Sequence, residues 1–505
     1  MKKFSAKWLH RWLGIPLCLL LFFSALSGIL LNHRELLVTC NVPNALLPAD
    51  YRITNWSQAA GKGYLRHQGY DYIYGQAGVW RRPTDSPWSV AQSANEGLPA
   101  GIDARKVVAM QSDSQGLWLA TQYGLFYRQA QRWESIPIPD REGARLSDLQ
   151  LQGDSLVLMS RSHIFTAPQS KVPQWQRHEL VAPDDYTGEL SLFRLLWALH
   201  SGGYLGLAGR LLVDAIGIVM MLLSATGLYY TILRSRADQC KGQDKDKRRR
   251  LGRLLTTQYR WHNGLGRWLF VPLLFVVLSG WCLRPPLMIP LVMGKLKPWS
   301  ISHLSSDNPW HERLRALRFD KYTGEWLLST SEGFYRLSSW GSKPYKWRIQ
   351  PSVSPMGINV MEQLGAHEWL IGSFSGLFLV DEQQRGVWDY LSNKEVDTSI
   401  RTRPTSRLMV SGYVSRAGDS IHLFTYDEGL VLMQRGQAPS PRQLLVQPSE
   451  VAEMPYSLWQ YALELHTGRL YQPLIGKWGV ELFVFALGAL ALAVLLSGYI
   501  RKRRA

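Results

Sequence analysis

Four stretches of this chain, residues 12–32, 205–233, 268–283 and 478–500, are almost free of charge over lengths that only a lipid interior rewards. A hydrocarbon core about 30 Å thick asks for roughly 20 apolar residues in a helix, so the third stretch is short and needs residues 264–267 to help. The first stretch follows Lys2, Lys3 and Lys7, as a secretion signal would. Its apolar core is longer than a signal's and a matching segment recurs mid-chain, so it reads as an anchor. The expected division is an N-terminus with the first span (1–34), an outer segment (35–199), a second span (200–233), a basic loop (234–260), a third span (261–290), a second outer segment (291–465), and a fourth span with its tail (466–505).

Charge supplies the orientation. The net +18 gathers beside the apolar stretches: Lys2, Lys3, Lys7 and Arg11 at the start, "KDKRRR" inside the basic loop, and "RKRR" at 501–504. The positive-inside rule puts all three in the cytoplasm. The expected location is therefore the inner membrane of a bacterium, with both termini cytoplasmic and both outer segments periplasmic. Topology explains the basic loop at less cost than nucleic-acid binding, which is not expected. Cys18, Cys40, Cys240 and Cys282 show no zinc or iron–sulfur spacing. A Cys40–Cys282 disulfide is chemically allowed near the outer face, but free thiols are the favoured reading.

The chain is also duplicated. "LHRWLGIPLCLLLFFSALSG" in the first span answers "WHNGLGRWLFVPLLFVVLSG" in the third, with His10 and His262 each 17 residues before the Ser of Ser27-Gly28 or Ser279-Gly280. The second and fourth spans each follow Leu-His-Ser/Thr-Gly, carry Gly209-Arg210 or Gly476-Lys477, and end in Thr226-Gly227 or Ser497-Gly498. Parallel repeats of this kind imply a pseudo-twofold axis along the membrane normal, with a shared site between the repeats. The outer segments hold short β-like runs with Gly-aromatic turns at 71–82, 116–128, 155–167, 325–337, 368–380 and 422–433, the third being the weakest. Their spacing is near one blade of a β-propeller. The expected fold is a membrane protein with a four-helix transmembrane bundle of two parallel repeats and a large all-β periplasmic domain. A six-bladed propeller closed from both halves is the leading form of that domain, and two separate β domains are the alternative.

Five of the twelve histidines fall at span ends: His10 and His262 inside, His33, His200 and His466 outside. A lone interfacial histidine is ordinary, but repeat-related pairs facing a bundle interior point to function. His10 with His262, and His200 with His466, suit two bis-His haems; a transition metal is the rival, though no carboxylate recurs beside them. Gly202, Gly203, Gly206, Gly468 and Gly476 would leave room for a flat macrocycle, and Arg210 and Lys477 would pair with propionates, against plain helix packing and snorkelling. His33 has no counterpart, since Pro285 stands in its place. It is expected either to replace an outer ligand or to act near the electron acceptor, as the catalytic candidate.

Those spans, with "LHSGGYLGLAGRLLVDAIGIVMMLLSATGLYY" and "LHTGRLYQPLIGKWGVELF", resemble the PepSY-associated transmembrane-helix proteins. The tetrapeptide Tyr-Thr-Gly-Glu at 186–189 and 322–325 is similar to that family's outer-domain signature. The resemblance covers the spans and their flanks, about a third of the chain, and the propeller-like outer segments depart from the compact domains usual there. It implies an inner-membrane ferric or ferric-siderophore reductase supporting iron uptake, with two haem b groups as cofactors. His10, His200, His262 and His466 would be the iron ligands, with His33 fifth. The implied partners are membrane lipid, ferric iron or a ferric siderophore as acceptor, and quinol or a cytoplasmic reductase as donor. The rival classes are a non-enzymatic membrane-anchored propeller binding a periplasmic ligand, and a metal or siderophore transport accessory without redox turnover.

Overall fold

The computed structural model describes residues 6–139, 145–239, 245–354, 357–398, 406–439 and 446–500. Lys2, Lys3, Cys240 and the 501–504 cluster lie outside the described residues. The chain forms two compact units, one of residues 1–37, 187–306 and 458–505, the other of residues 38–186 and 307–457.

The first unit is helical. Helix α1 (Ala6–Asn32) runs unbroken through Pro16. Helix α2 (Leu192–Ser201) starts where the Ser191 hydroxyl accepts the Arg194 N–H at 3.2 Å, the usual N-cap bond, and stops at Gly202. Gly202 has φ +77°, and a side chain there would meet the Gly209 carbonyl oxygen at 2.1 Å. Both facts demand glycine: the backbone is left-handed and the following helix α3 (Gly206–Gln239) presses against it. The second half repeats the device. Helix α6 (Leu458–His466) ends before Gly468, with φ +76°, and helix α7 (Gln472–Ile500) follows. The Leu-His-Ser/Thr-Gly motif thus sets a histidine on the last turn of a short helix and a glycine at its stop. Gly202 and Gly468 thus have a backbone role as helix stops, which explains them without a macrocycle.

Among the described residues, three helices are long and apolar enough to cross a membrane, spanning Trp8–Asn32, Gly203–Gln239 and Arg469–Ile500. A fourth crossing exists only if helix α4 (Lys245–Trp268) and helix α5 (Phe270–Cys282) count as one bent span. They meet at an angle of 67°, so residues 264–267 do not extend the third span in line as expected. Thirteen residues rise only about 20 Å. Pro272 lacks the N–H that the Trp268 carbonyl would take, which weakens the helix at the bend. The stretch expected as a basic loop is largely helical too, because α3 runs on to Gln239 and α4 begins at Lys245.

The second unit is β-rich. Each of the six expected runs is an antiparallel hairpin, at 70–83, 117–128, 155–168, 325–337, 368–381 and 420–434. Each hairpin pairs with a preceding strand: Gly63–His67, Val107–Ser112, Leu146–Gln152, Leu314–Asp320, Val360–Gln363 and Val410–Ala417. Period-2 alternation buries one residue in two on each face, and both faces are used, so the central strands are nearly all apolar. Tyr72 and Val79 of the first sheet pack on Leu117 and Phe126 of the second. Trp118 then shares a core with Leu156, Val157 with Trp326, Phe334 with Trp369, and Leu370 with Leu423. Phe424 and Leu430 of the sixth sheet pack on Ile73 and Trp80 of the first. A parallel bridge from Gly63 to Tyr413 joins those two sheets. Both outer segments therefore build one β unit, not two separate domains.

Candidate functional site

The structure brings the expected histidines together as pairs. The rings of His10 and His262 have centroids 6.0 Å apart, and those of His200 and His466 6.2 Å apart. Two imidazoles on opposite sides of one metal ion, each bound at about 2 Å, put their centroids roughly 6 Å apart. Ordinary ring contacts span the same range, so spacing alone decides little. The anchoring of each ring decides more.

Every one of the four uses Nδ1 to bond the helix it packs against. Nδ1 of His10 donates to the Val494 carbonyl at 3.0 Å, that of His200 to the Val276 carbonyl at 3.1 Å, and that of His466 to the Ser24 carbonyl at 2.9 Å. A carbonyl only accepts, so the proton is on Nδ1. His262 Nδ1 lies 3.1 Å from Thr226 Oγ1, whose own hydrogen goes to the Leu222 carbonyl at 2.6 Å. The threonine oxygen must therefore accept, and His262 is the same tautomer. With Nδ1–H spent on protein, the lone pair of each neutral ring is on Nε2, the arrangement of a metal-ligating histidine held by a second partner. Among the described residues, Nε2 of His200 and of His466 makes no hydrogen bond.

The Ser/Thr-Gly pairs of the four apolar stretches are the seats of these rings. Ser279 Oγ sits 3.1 Å from His200 Nδ1, and Ser27 Oγ 3.2 Å from His466 Nδ1. The neighbouring glycines are filled by the imidazoles. A Cβ would meet the ring Cε1 at 2.8 Å from Gly280, 3.0 Å from Gly498, 3.2 Å from Gly28 and 3.3 Å from Gly227. Ser27, Thr226, Ser279 and Val494 were not singled out by sequence as histidine partners, although the recurrence of Ser/Thr-Gly at every span end was the signal for three of them. The donor set of two neutral imidazoles per pair fits haem b. No group of three or more potential metal ligands exists among the described residues.

The other expected site residues fall elsewhere. Arg210 and Lys477 are exposed on their helices. His33 bonds through the opposite nitrogen, its Nε2 lying 2.7 Å from Asp214 Oδ2. Asn32 donates to the other oxygen of Asp214 at 2.8 Å. A buried carboxylate within the apolar run of α3 is thus held from the end of α1, a feature the sequence reading passed over. The structure holds His33 on Asp214 and shows no bond from it to either histidine pair.

The β unit gathers charge on its leading strands. Arg318 Nη1 donates to Asp148 Oδ2 at 2.7 Å, and its other terminal nitrogen lies 3.8 Å from Glu362. Lys62 donates to the Val108 carbonyl at 2.8 Å. Burial pushes the Lys62 ammonium down to about 8, with Asp148 opposing the fall.

A family model described as the PepSY-associated TM region matches residues 7–502. No curated protein sequence matches the chain. Among solved structures, the extracellular domain of a one-component system from B. thetaiotaomicron matches at 13% identity and TM-score 0.33, covering 78% of this chain and 39% of that one. PorZ, a surface component of the type-IX secretion system of Porphyromonas gingivalis, matches at 9% identity and TM-score 0.32, covering 77% and 38%. The chain spans less than two fifths of the length of either structure, and likenesses this distant carry no conclusion about function.

Proposed function

Because this chain belongs to the PepSY-associated TM region family, we propose that it is a haem-containing electron-transfer protein of a bacterial inner membrane that reduces periplasmic ferric iron or a ferric siderophore. The observation that carries the reading is the fourfold Nδ1–H anchoring, which leaves a lone pair on Nε2 in two pairs of rings. His10 with His262 would hold one haem b and His200 with His466 a second. Bound there, haem supplies reversible one-electron chemistry. The chain's own residues fix tautomer and ring orientation through Val494, Val276, Ser24 and Thr226, and the apolar helices keep bulk water from the pairs. The donor would be quinol or a cytoplasmic reductase, and the six sheets would close as a periplasmic six-bladed propeller. His33, bonded to Asp214, would act near the acceptor in the proton balance at the outer edge.

The test is spectroscopic. The protein is purified in detergent from haem-replete cells, its oxidised and reduced visible spectra recorded, and haem per chain counted as pyridine haemochrome. Two low-spin b-type haems are expected. His10→Ala and His262→Ala should abolish one and the same haem, and His200→Ala and His466→Ala the other. A folded, haem-supplied protein with no haem sinks the reading. One observation favours a second reading: the convergence of Lys62, Asp148, Arg318 and Glu362 on the β unit's leading strands suits a binding platform for a charged periplasmic ligand.

A further inference from the structure

We propose that Arg284 anchors a propionate of the haem held by His200 and His466, an inference that rests on the haem reading above. Arg284 stands five residues beyond Ser279, whose hydroxyl bonds His200, and two beyond the end of α5. Its terminal nitrogen reaches Glu481 of α7 at 3.3 Å, with the arginine side chain only 20% exposed. Its Nε is buried and, among the described residues, has no hydrogen-bond partner. A buried guanidinium with one edge on a carboxylate and another N–H unmet is suited to a second carboxylate, because its fork offers separate charge-assisted bonds to two acceptors.

The neighbouring cations are committed or misplaced. Arg469 is bonded to Glu464 at 2.8 Å and to Thr467 at 3.2 Å. Arg210 and Lys477, the two expected from sequence, are exposed. The counterpart of Arg284 in the first half, five residues beyond Ser27, is Asn32, which is spent on Asp214. Of the cations compared, Arg284 is the one with an N–H unmet, just beyond the helix that seats His200.

The experiment compares Arg284→Gln and Arg284→Lys with wild type by redox titration and by haem release to apomyoglobin. The affected wave is identified as the one that His466→Ala abolishes. In Arg284→Gln both haems should remain bound, the potential of that wave should fall because a cation that disfavours ferric haem is gone, and its release should quicken about tenfold. Arg284→Lys should restore the potential in part while release stays fast, because a point charge replaces the fork. Should Arg284→Gln fail to fold, Arg284→Lys decides alone, and wild-type release from it overturns the proposal. Two haems with unchanged potential and release in Arg284→Gln overturn this proposal and spare the haem reading. A wild-type chain without haem overturns both.

Discussion

His200 occupies the space that a side chain at position 280 would need: its Cε1 lies 2.8 Å from where a Cβ on Gly280 would stand, while His262 leaves 3.3 Å at Gly227. The first distance forces a shift of the ring and the second is absorbed by a small adjustment. Gly280→Ala should therefore displace His200 from the Val276 carbonyl and lower haem content toward one per chain. Gly227→Ala should retain nearly two. Equal losses from both, measured as haem per folded chain, would remove the seat argument.

His33 is bonded through Nε2 whereas the four paired rings are bonded through Nδ1. His33→Ala should leave haem stoichiometry and both reduced spectra unchanged. Loss of either haem from that variant would return His33 to the ligand set.

Lys62 gives the β unit a pH dependence of definite sign. Its folded value lies near 8, against 10.5 for the free group. Below about pH 8 both states carry the ammonium, and the folded state bears the cost of burying it. Between about 8 and 10.5 the unfolded chain holds a proton the folded chain has shed, so stability rises with pH and then levels off. Thermal unfolding of wild type should gain on that of Lys62→Met across this window by about 1–2 kcal/mol, discounted because water reaches the group. Parallel curves would mean that the ammonium is not strained by its surroundings.

Asp320 organises the turn before strand Glu325–Thr330. It accepts the Tyr322 N–H at 3.0 Å, Arg336 at 3.0 Å and Gln363 at 2.6 Å. Burial raises its carboxyl, but Gln363 and Arg336 hold it below the ordinary value. Its contribution is therefore present above the unfolded value near 4 and lost as pH falls through the lower folded one. Asp320→Ala should destabilise the β unit by about 3 kcal/mol by leaving Arg336 short of a buried partner. A change under about 1 kcal/mol in chemical unfolding would show that Glu382 and Glu325 compensate.

The residues that sequence identified well are those with a period or a copy. Duplication marked His10, His200, His262 and His466, and Gly-aromatic turns marked all six hairpins, including the weak one at 155–168, where Leu156 and Leu158 are fully buried. What escaped depends on which helix lies beside which. Ser27 serves His466 from across the chain, a separation of 439 residues, and no local pattern announces that partnership. The two Tyr-Thr-Gly-Glu copies fall in different settings. The second forms the tight turn under Asp320, while the first is a connecting segment between the two units. Asp214 was legible, since a lone carboxylate in an apolar run needs a partner. The 67° bend was less so: Pro272 weakens the helix there, yet Pro16, in the matching Arg-Trp-Leu context, leaves α1 straight through.

The bridge from Gly63 to Tyr413 sets an order of manufacture. The first three sheets leave the ribosome some 150 residues ahead of the fourth, and the core around Ile73 and Trp80 is incomplete until Phe424 and Leu430 have been made. Three of the hydrophobic helices must be in place by then. The early half thus waits with apolar sheet faces incompletely covered, a state that invites aggregation. A ribosome stalled between residues 306 and 400 should leave a nascent chain that proteases cut within residues 38–186, and completion of the sixth sheet should close that vulnerability all at once.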